Sequence, residues 1–403
     1  MESLTGKKRL RLAILLGALA ALGPFTIDMY LPSFPTIASE LQTNASSVQL
    51  SLTACLLGIG LGQLFMGPMS DVQGRRKPLL IALVFYLSAS LICAFSPNIY
   101  FFIIARFMQG FAASAGIVIS RAIVRDVYSG RELTKFFSLL MLINGLVPIL
   151  APVVGGGVLA FTNWNGVFIV LGGIGTILFL VVSLKLTETL PVYKRVPSNF
   201  AQTLRNFQSL LKDRQFTGYA LAQGFMMAGI FAYVSGTPFV YQKIYGASPQ
   251  AFSLLFGMNG IGLIIGTQLV GRFTGVISEK RFLEIGLLIS NTSSIFLLLA
   301  VLLKGPLFTI VIPIFFFVSS IGIISTSSFS LALQSQSHIA GSASALLGLL
   351  PFILGSISSP LVGIAGETTA VPMGVIMFSA SFISLLSYLG LARTSKKQLS
   401  QCA

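Results

Sequence analysis

Stretches of about twenty apolar residues recur along the whole chain, and short polar segments separate them. A helix of roughly this length crosses the hydrocarbon core of a membrane, which is about 30 Å thick. Each stretch therefore predicts one membrane-spanning helix. The first six are at 10–31, 48–69, 78–96, 100–120, 135–160 and 166–186, and the second six are at 216–238, 250–271, 282–303, 307–331, 341–365 and 372–392.

The composition excludes a soluble globular protein. Hydrophobic residues make up 54% of the 403 residues and charged residues only 9%, whereas about a quarter of the residues in soluble domains are charged. The three cysteines, Cys55, Cys93 and Cys402, show no metal-ligand spacing. The sequence therefore predicts an all-α membrane protein without a metal site or a cofactor.

The positive charges are distributed very unevenly. The chain has 26 Lys and Arg against 11 Asp and Glu, a net charge of +15, which alone would suggest a nucleic-acid partner. If the N-terminus is cytoplasmic, 23 of the 26 lie in cytoplasmic segments, Lys243 and Lys304 lie outside, and Arg106 lies within a span. This bias predicts that both termini are cytoplasmic and that the charge serves topology rather than nucleic-acid binding.

A polar segment in the middle of the chain divides the predicted helices into two groups of six. Residues 1–186 are predicted to form an N-terminal bundle, 187–215 a cytoplasmic linker, and 216–403 a C-terminal bundle with a short tail. The amphipathic middle of the linker predicts a helix on the inner leaflet, with a regulatory segment of the calmodulin-target type as the alternative. Its apolar positions are Phe200, Leu204, Phe207, Leu210 and Leu211.

The two halves resemble each other at an offset of a little over 200 residues. Gly-Leu-Val-Pro beginning at Gly145 and Gly-Leu-Leu-Pro beginning at Gly348 are 203 residues apart. Pro32 and Pro238 are separated by 206 residues, and Gly67 and Gly271 by 204. Three offsets of similar size predict a duplicated six-helix unit, an architecture typical of transporters.

Two ionisable residues lie within the predicted spans, Asp28 in the first and Arg106 in the fourth. A charge at the centre of a bilayer costs roughly 2.5–3.5 kcal/mol on insertion scales, so such residues are expected to face a cavity or a partner. Both are predicted in the outer half of the membrane, where they could share one polar pocket. Asp28 would then bind a proton or a cationic substrate; the alternatives are a structural ion pair or a side chain that reaches the surface.

The loop between the second and third spans has the most specific pattern of the chain. It reads Gly67-Pro-Met-Ser-Asp71-Val-Gln-Gly74-Arg75-Arg76-Lys77. Its glycines favour close helix contact and a tight reversal, and its cations could simply fix topology. Topology alone does not account for the spaced glycines and the acid.

This loop resembles the G-x-x-x-D-x-x-G-R-[RK]-[RK] motif of the major facilitator superfamily. Three further segments are similar to motifs of that family. They are Arg106-Phe-Met-Gln109-Gly110 in the fourth span, Gly145 to Gly156 with Pro148, Pro152 and Gly155 in the fifth, and Asp28-Met-Tyr-Leu-Pro32-Ser-Phe-Pro35 in the first. Together with Arg121 to Asp126 they are similar to the pattern of the Bcr/CflA drug:proton antiporters.

The resemblance implies a mechanism. Two bundles would alternate access to a central site, and Asp28, with Arg106, would exchange a proton for a drug. Asp71, near Ser337–Gly341 at the start of helix eleven, and Arg75, paired with Asp126, would form a cytoplasmic latch. The glycines and prolines of helix five would pack against the other half, or serve only as ordinary packing residues. Candidate substrate contacts are Tyr30, Gln109, Gln223, Met226, Met227 and Tyr233.

Proton-driven efflux of small amphipathic drugs across a bacterial cytoplasmic membrane, by a monomer in the bilayer, is therefore the predicted function. A transporter of one specific metabolite on the same fold is the alternative. An enzyme acting on lipid-linked substrates is disfavoured, because the sequence has one histidine and no acidic cluster. A passive channel would not need two repeated halves with a latch.

Overall fold

The structure is a computed structural model that describes residues 6–128, 130–195, 200–336, 339–364 and 366–393. The described residues form helices and connecting turns, without a strand. The predicted all-α class is therefore confirmed for this part of the chain.

The first eight helices of the described chain lie between Gly6 and Lys212, and the second of them is short. Their bounds are α1 Gly6–Asp28, α2 Phe34–Glu40, α3 Ala45–Gln73, α4 Arg76–Ala94, α5 Ile99–Val127, α6 Gly130–Leu159, α7 Trp164–Lys185 and α8 Phe200–Lys212. Local capping explains where several of them begin. Asn98, for example, accepts hydrogen bonds from the backbone N–H groups of Tyr100 and Phe101, both at 3.1 Å, which satisfies donors that have no partner within the helix.

Six further helices complete the described chain. They are α9 Arg214–Phe239, α10 Pro249–Phe273, α11 Glu279–Leu302, α12 Leu307–Ser335, α13 Ala340–Leu361 and α14 Val371–Ser387. The helices α9 and α14 continue into π-helical turns at Val240–Ile244 and Tyr388–Arg393. Asp213 and Ser248 cap α9 and α10 through their side chains.

Each predicted span coincides with one helix, and the helices often extend past the apolar stretch. Eleven helices among the described residues are long and apolar enough to cross a membrane. The remaining predicted span falls on α6, of which Gly145–Leu159 is apolar by the same measure. The count of twelve spans and the cytoplasmic position of both termini stay predictions.

Two segments outside the predicted spans are also helical. The predicted outer loop 32–47 contains the short helix α2, whose Phe34 and Ile37 are fully buried. A helix of seven residues is too short to be found by a pattern of spanning length. The linker helix α8 buries Phe207 and Leu210, and its Asn206 donates to the hydroxyl of Ser342 at 3.0 Å. α8 is therefore packed against α13.

The chain forms two compact units. The first contains Met1–Leu41 and Ala54–Ser198, and the second contains Gln42–Thr53 and Asn199–Ala403. In the first unit α1 packs on α5 and α6, and α4 packs on α5 and α7. The same arrangement occurs in the second unit, where α9 packs on α12 and α13, and α11 packs on α12 and α14. This repeated pairing agrees with the duplication predicted from the three sequence offsets.

Glycines allow the closest helix contacts in both units. In the first, a Cβ on Gly110 of α5 would overlap the carbonyl oxygen of Cys55 on α3. In the second, a Cβ on Gly322 of α12 would overlap the carbonyl oxygen of Leu263 on α10. The two units therefore use backbone-to-backbone packing at equivalent helix pairs, as is common between helices in membranes.

Candidate functional site

Arg106 is fully buried in the first unit and is held by neutral groups. One terminal nitrogen donates to the backbone carbonyl of Thr26 on α1 at 2.9 Å, and the other donates to Oε1 of Gln109 one turn further along α5. The guanidinium carbon lies 4.0 Å from the centroid of the Tyr30 ring. Burial of a charge is costly unless its hydrogen-bond donors have acceptors. Here a backbone carbonyl and a side-chain amide accept from Arg106, and an aromatic ring faces its guanidinium.

A second set of polar residues orients the groups that hold Arg106. Nε2 of Gln109 donates to the Ser90 hydroxyl at 2.8 Å, which turns the amide oxygen towards Arg106. The hydroxyls of Thr26 and Tyr86 are joined by a hydrogen bond of 2.8 Å. Because Ser90 and Tyr86 both lie on α4, this helix supports the Arg106 cluster from a third side. No residue of α4 was predicted from the sequence to belong to the site; the available signal was a pair of polar residues four positions apart in an apolar span.

Asp28 is the last residue of α1 and is only 7% exposed. Arg106 reaches α1 two residues before it, at Thr26, so the structure brings the two charged residues into one region of the first unit. No hydrogen bond or ion pair among the described residues joins Asp28 to Arg106 or to another side chain. The alternative of a structural ion pair between them is therefore not seen in the described chain.

The glycine-rich end of α6 lies against the end of α1. A Cβ on Gly155 would overlap the carbonyl oxygen of Met29, the residue that follows Asp28. Pro152 and Gly156 are buried beside it, whereas Gly145 and Pro148 are partly exposed. Within the first unit, this stretch of α6, the fifth predicted span, thus fixes the backbone next to Asp28.

The gating loop, residues 67–77, is organised around Arg75. The Arg75 side chain is 6% exposed and forms ion pairs with Asp71 and, at 2.8 Å, with Asp126 at the end of α5. Arg75 also donates to the hydroxyl of Ser70 at 2.8 Å. Burial of an ion pair is favourable only with good geometry and further hydrogen bonds, and this network has both.

The other positions of the loop have different surroundings. Gly74 has a φ of 93°, a conformation that side chains rarely adopt, and a Cβ on Gly67 would contact Val118 at 3.3 Å. Arg76 donates to the carbonyl oxygen of Ser183 on α7 at 2.6 Å, and Lys77 is exposed. Ser337, which the resemblance placed near Asp71, lies outside the described residues.

Glu188, in the segment after α7, completes the network and was not found from the sequence. Its carboxylate accepts hydrogen bonds from four backbone N–H groups, those of Arg75, Arg76, Thr189 and Leu190, at 2.8–3.1 Å. Partial burial opposes ionisation, but these four bonds prevail and lower the pKa of Glu188. An acid in a short linker segment gives little signal on its own, because the loop residues that it contacts, Arg75 and Arg76, are more than a hundred residues away.

The candidate substrate contacts have different environments. Tyr30 and Gln109 are fully buried and belong to the Arg106 cluster. On α9, Gln223 and Met226 are buried, and Met227 is partly exposed. The Oε1 atom of Gln223 is buried and has no hydrogen-bond donor in the described chain. The hydroxyl of Tyr233 accepts a hydrogen bond from Asn259 at 2.9 Å, and its ring stacks on Phe256.

Repeated helix pairing, ionisable residues inside apolar spans and a charged loop together define a polytopic membrane transporter rather than an enzyme. The sequence profile of the Major Facilitator Superfamily matches residues 14–360. The chain belongs to this superfamily.

Similar proteins come from several bacteria. The "Uncharacterized MFS-type transporter YdgK" of Bacillus subtilis is 57% identical, over 96% of this chain and 97% of that protein. The "Bicyclomycin resistance protein homolog" of Haemophilus influenzae is 34% identical, over 93% and 94%. The "Multidrug resistance protein D" of Escherichia coli is 26% identical, over 97% and 98%.

A solved structure shows the same fold. The bacterial homologue of the human lysosomal transporter Spinster covers 98% of both chains with a TM-score of 0.76 at 15% identity. The predicted major facilitator fold is therefore confirmed. The protein is a multi-span membrane transporter, and some of its bacterial relatives are named for drug and antibiotic resistance.

Proposed function

We propose that this transporter exports small amphipathic drugs or antibiotics in exchange for protons, by alternating access across the bacterial cytoplasmic membrane. The observation that carries the proposal is Asp28, a buried carboxyl at the end of α1 without a hydrogen-bond donor in the described chain. A membrane-embedded acid of this kind is suited to bind and release a proton or to contact a positively charged group of a substrate. Two relatives are named for resistance to bicyclomycin or to several drugs, which supports drugs as the exported substrates.

Arg106 would support Asp28 rather than neutralise it. Its guanidinium is engaged by Thr26, Gln109 and the Tyr30 ring, which leaves Asp28 available to a proton or a ligand. The positive charge of Arg106, which contacts α1 at Thr26, two residues before Asp28, would favour departure of a cation or proton when the substrate site changes its access. The two residues thus have separate roles in the proposed coupling.

The substrate would be held mainly by apolar and weakly polar groups. Met226, Met227 and Tyr233 offer flexible and amphipathic surfaces, and Gln223 offers an amide that has an unused acceptor in the described chain. Adaptable methionines are typical of sites that accept several ligands. Asp71, Arg75 and Asp126 would act as a latch at the cytoplasmic side. Gly155 of α6 would keep the region next to Asp28 closely packed.

The central test is Asp28→Asn, which keeps the size of the side chain and removes its titratable proton. A fluorescent drug substrate would be added outside everted membrane vesicles that are energised with a pH gradient, acidic inside. We expect proton-driven uptake to fall by at least about tenfold, as for loss of an essential group, while drug-driven exchange without a gradient persists. Glu367→Gln is a matched control, because its partly exposed carboxyl forms no described hydrogen bond and should not matter.

The substrate class is tested separately. Expression in a host that lacks its own efflux pumps should raise resistance to at least one antibiotic, and Asp28→Asn should remove that gain. Unchanged susceptibility across chemically diverse antibiotics would contradict drug export. Full proton-coupled activity of Asp28→Asn would instead remove Asp28 from the mechanism.

A further inference from the structure

The helix α4 begins without a cap of its own. Arg75 occupies the position before the first helical residue, has a helical backbone conformation, and makes no side-chain hydrogen bond to the first turn. The first N–H groups of a helix have no partner within it, and in most helices a Ser, Thr, Asp or Asn at this position supplies one. Here the side chain of Arg75 is committed to Asp71 and Asp126.

Glu188 supplies the missing acceptor from a distant part of the chain. Its Oε1 accepts from the N–H of Arg75 at 2.8 Å, and its Oε2 accepts from the N–H of Arg76 at 3.1 Å. A carboxylate at a helix N-terminus also interacts favourably with the helix dipole. Oε1 in addition accepts from the N–H groups of Thr189 and Leu190, which fixes the carboxylate relative to its own segment.

The side chain of Glu188 occupies space that Gly74 leaves open. A Cβ built on Gly74 would lie 2.6 Å from Oε2 and 2.9 Å from Cδ of Glu188, closer than real Cβ contacts. It would also lie 2.8 Å from a terminal nitrogen of Arg195. Glycine at position 74 therefore permits two features of the loop: a positive φ and the close approach of the Glu188 carboxylate.

The segment around Glu188 is anchored on both sides. Leu186 and Leu190 are buried, and the Thr189 hydroxyl donates to Oδ2 of Asp126 at 3.3 Å, the atom that also pairs with Arg75. The chain that leaves α7 thus contacts both the start of α4 and the end of α5. Displacement of this segment would disturb Arg75 through its backbone and through Asp126.

We propose that Glu188 is a positioning residue of the gating loop: its carboxylate caps α4 from the end of α7 and thereby holds Arg75 where it pairs with Asp71 and Asp126. This inference rests on the proposed role of that loop as a latch in transport. According to this inference, the geometry of the latch also depends on the segment that follows α7 and leads into the linker.

The first test measures the cap directly and needs no substrate. Hydrogen exchange of the purified full-length protein, followed by mass spectrometry, would compare peptides covering 74–80 and 278–284. For Glu188→Gln we expect exchange of the α4 peptide to become about fivefold faster or more, the scale of losing a helix cap. The α11 peptide should be unchanged, because Ser278 of the same chain caps α11; Glu367→Gln should change neither.

The second test asks whether Gly74 and Glu188 act together. Gly74→Ala introduces a Cβ that meets the carboxylate, whereas in the Glu188→Ala background that obstacle is gone. We expect the transport defect of Gly74→Ala to be at least about threefold smaller in the Glu188→Ala background, the non-additivity expected for residues in contact. Defects that simply multiply would contradict the shared space.

The third test separates positioning from binding. In vesicles, Glu188→Gln should lower the maximal transport rate by about threefold or more and leave the half-saturating drug concentration within twofold, because a latch affects cycling rather than affinity. Wild-type exchange at 74–80 in Glu188→Gln, or a wild-type transport rate, would overturn the proposal. Failure to find any transported drug would count against the proposed function alone, since the exchange result for Glu188 would stand without it.

Discussion

The two units pair their helices in the same way but place different chemistry at equivalent positions. In the first unit α5 buries Arg106 and α1 ends at the buried Asp28. Their counterparts α12 and α9 bury only neutral polar groups among the described residues, such as Ser320 on α12 and Gln223 on α9. The second unit shows that this packing does not need charges, which supports the proposed functional role of the two charges in the first unit.

The starts of α4 and α11 differ in a related way. The N–H of Arg281 in α11 donates to the hydroxyl of Ser278, three residues earlier in the sequence. The first turn of α4 depends on Glu188, which follows α7. A local cap makes one helix start independent of the rest of its unit, whereas the distant cap couples the gating loop to another helix. The first unit thus contains both the buried Asp28 and Arg106 and a helix cap supplied from a distant part of the chain.

The largest effect is expected for Arg106→Lys. Lysine keeps the positive charge but cannot reach the Thr26 carbonyl and Gln109 together, and it lacks a planar face to lie on Tyr30. We expect proton-driven transport in vesicles to fall by at least about tenfold. Ser320→Ala on the equivalent α12 should retain transport within twofold. If both variants behaved alike, the difference between the units would not be functional.

A smaller and symmetrical effect is expected when the shared packing is disturbed. Gly110→Val and Gly322→Val each force a side chain into a neighbouring backbone carbonyl. Each should destabilise its unit by about 1–3 kcal/mol, as overpacked sites do, which would be seen as a lower melting temperature of the detergent-solubilised protein. Gly173→Val is the control, because a Cβ there meets nothing within 4 Å. A large loss for Gly110→Val alone would show that the two units are not packed equivalently.

The smallest effect concerns pH and the two helix starts. Because the pKa of Glu188 is lowered in the folded protein, its stabilisation is fully present above the ordinary glutamate pKa of about 4.3. It is lost as the pH falls through the lowered value. Exchange at 74–80, corrected for the intrinsic chemical rate, should therefore become faster below about pH 4. Exchange at 278–284 should change less, because the cap of α11 is the hydroxyl of Ser278, which does not titrate there, and the acids of that peptide accept from side chains rather than from the first turn.

Glu188→Gln isolates this carboxyl from the neighbouring acids of the loop. The variant should show the fast exchange of α4 at neutral pH and little further change on acidification. A wild-type pH response in Glu188→Gln would assign the effect to Asp71 or Asp126 instead.

Most of the fold followed from the sequence because span length is a local property. The predicted stretch 166–186, for example, differs from α7 by two residues at its start and one at its end. The short helix α2 was not predicted, because its seven residues are stabilised by burial of Phe34 and Ile37 rather than by their own length. Helices that extend past the apolar core were likewise underestimated: the fourth span was predicted to end at 120, but α5 continues to Val127 through the charged residues Arg121, Arg125 and Asp126.

The candidate site followed from the sequence only in part. Asp28 and Arg106 stand out because charges in apolar spans are rare, and the loop with Asp71 and Arg75 stands out by its motif. Ser90, Tyr86 and Glu188 do not, because serine, tyrosine and a loop glutamate are ordinary residues at such positions. Their roles arise from contacts with residues distant in the sequence.

The sequence by itself determined that this protein is a helical membrane transporter of the major facilitator superfamily, where its long apolar helices lie, and which two charged residues lie in the predicted spans. These features depend on the hydrophobicity of consecutive residues and on short motifs. Only the tertiary structure decided that Arg106 is held by Thr26, Gln109 and Tyr30 rather than by Asp28, and that Gly74 makes room for Glu188. The physical reason is that a hydrogen bond between helices depends on their packing, and local sequence does not specify which helices meet.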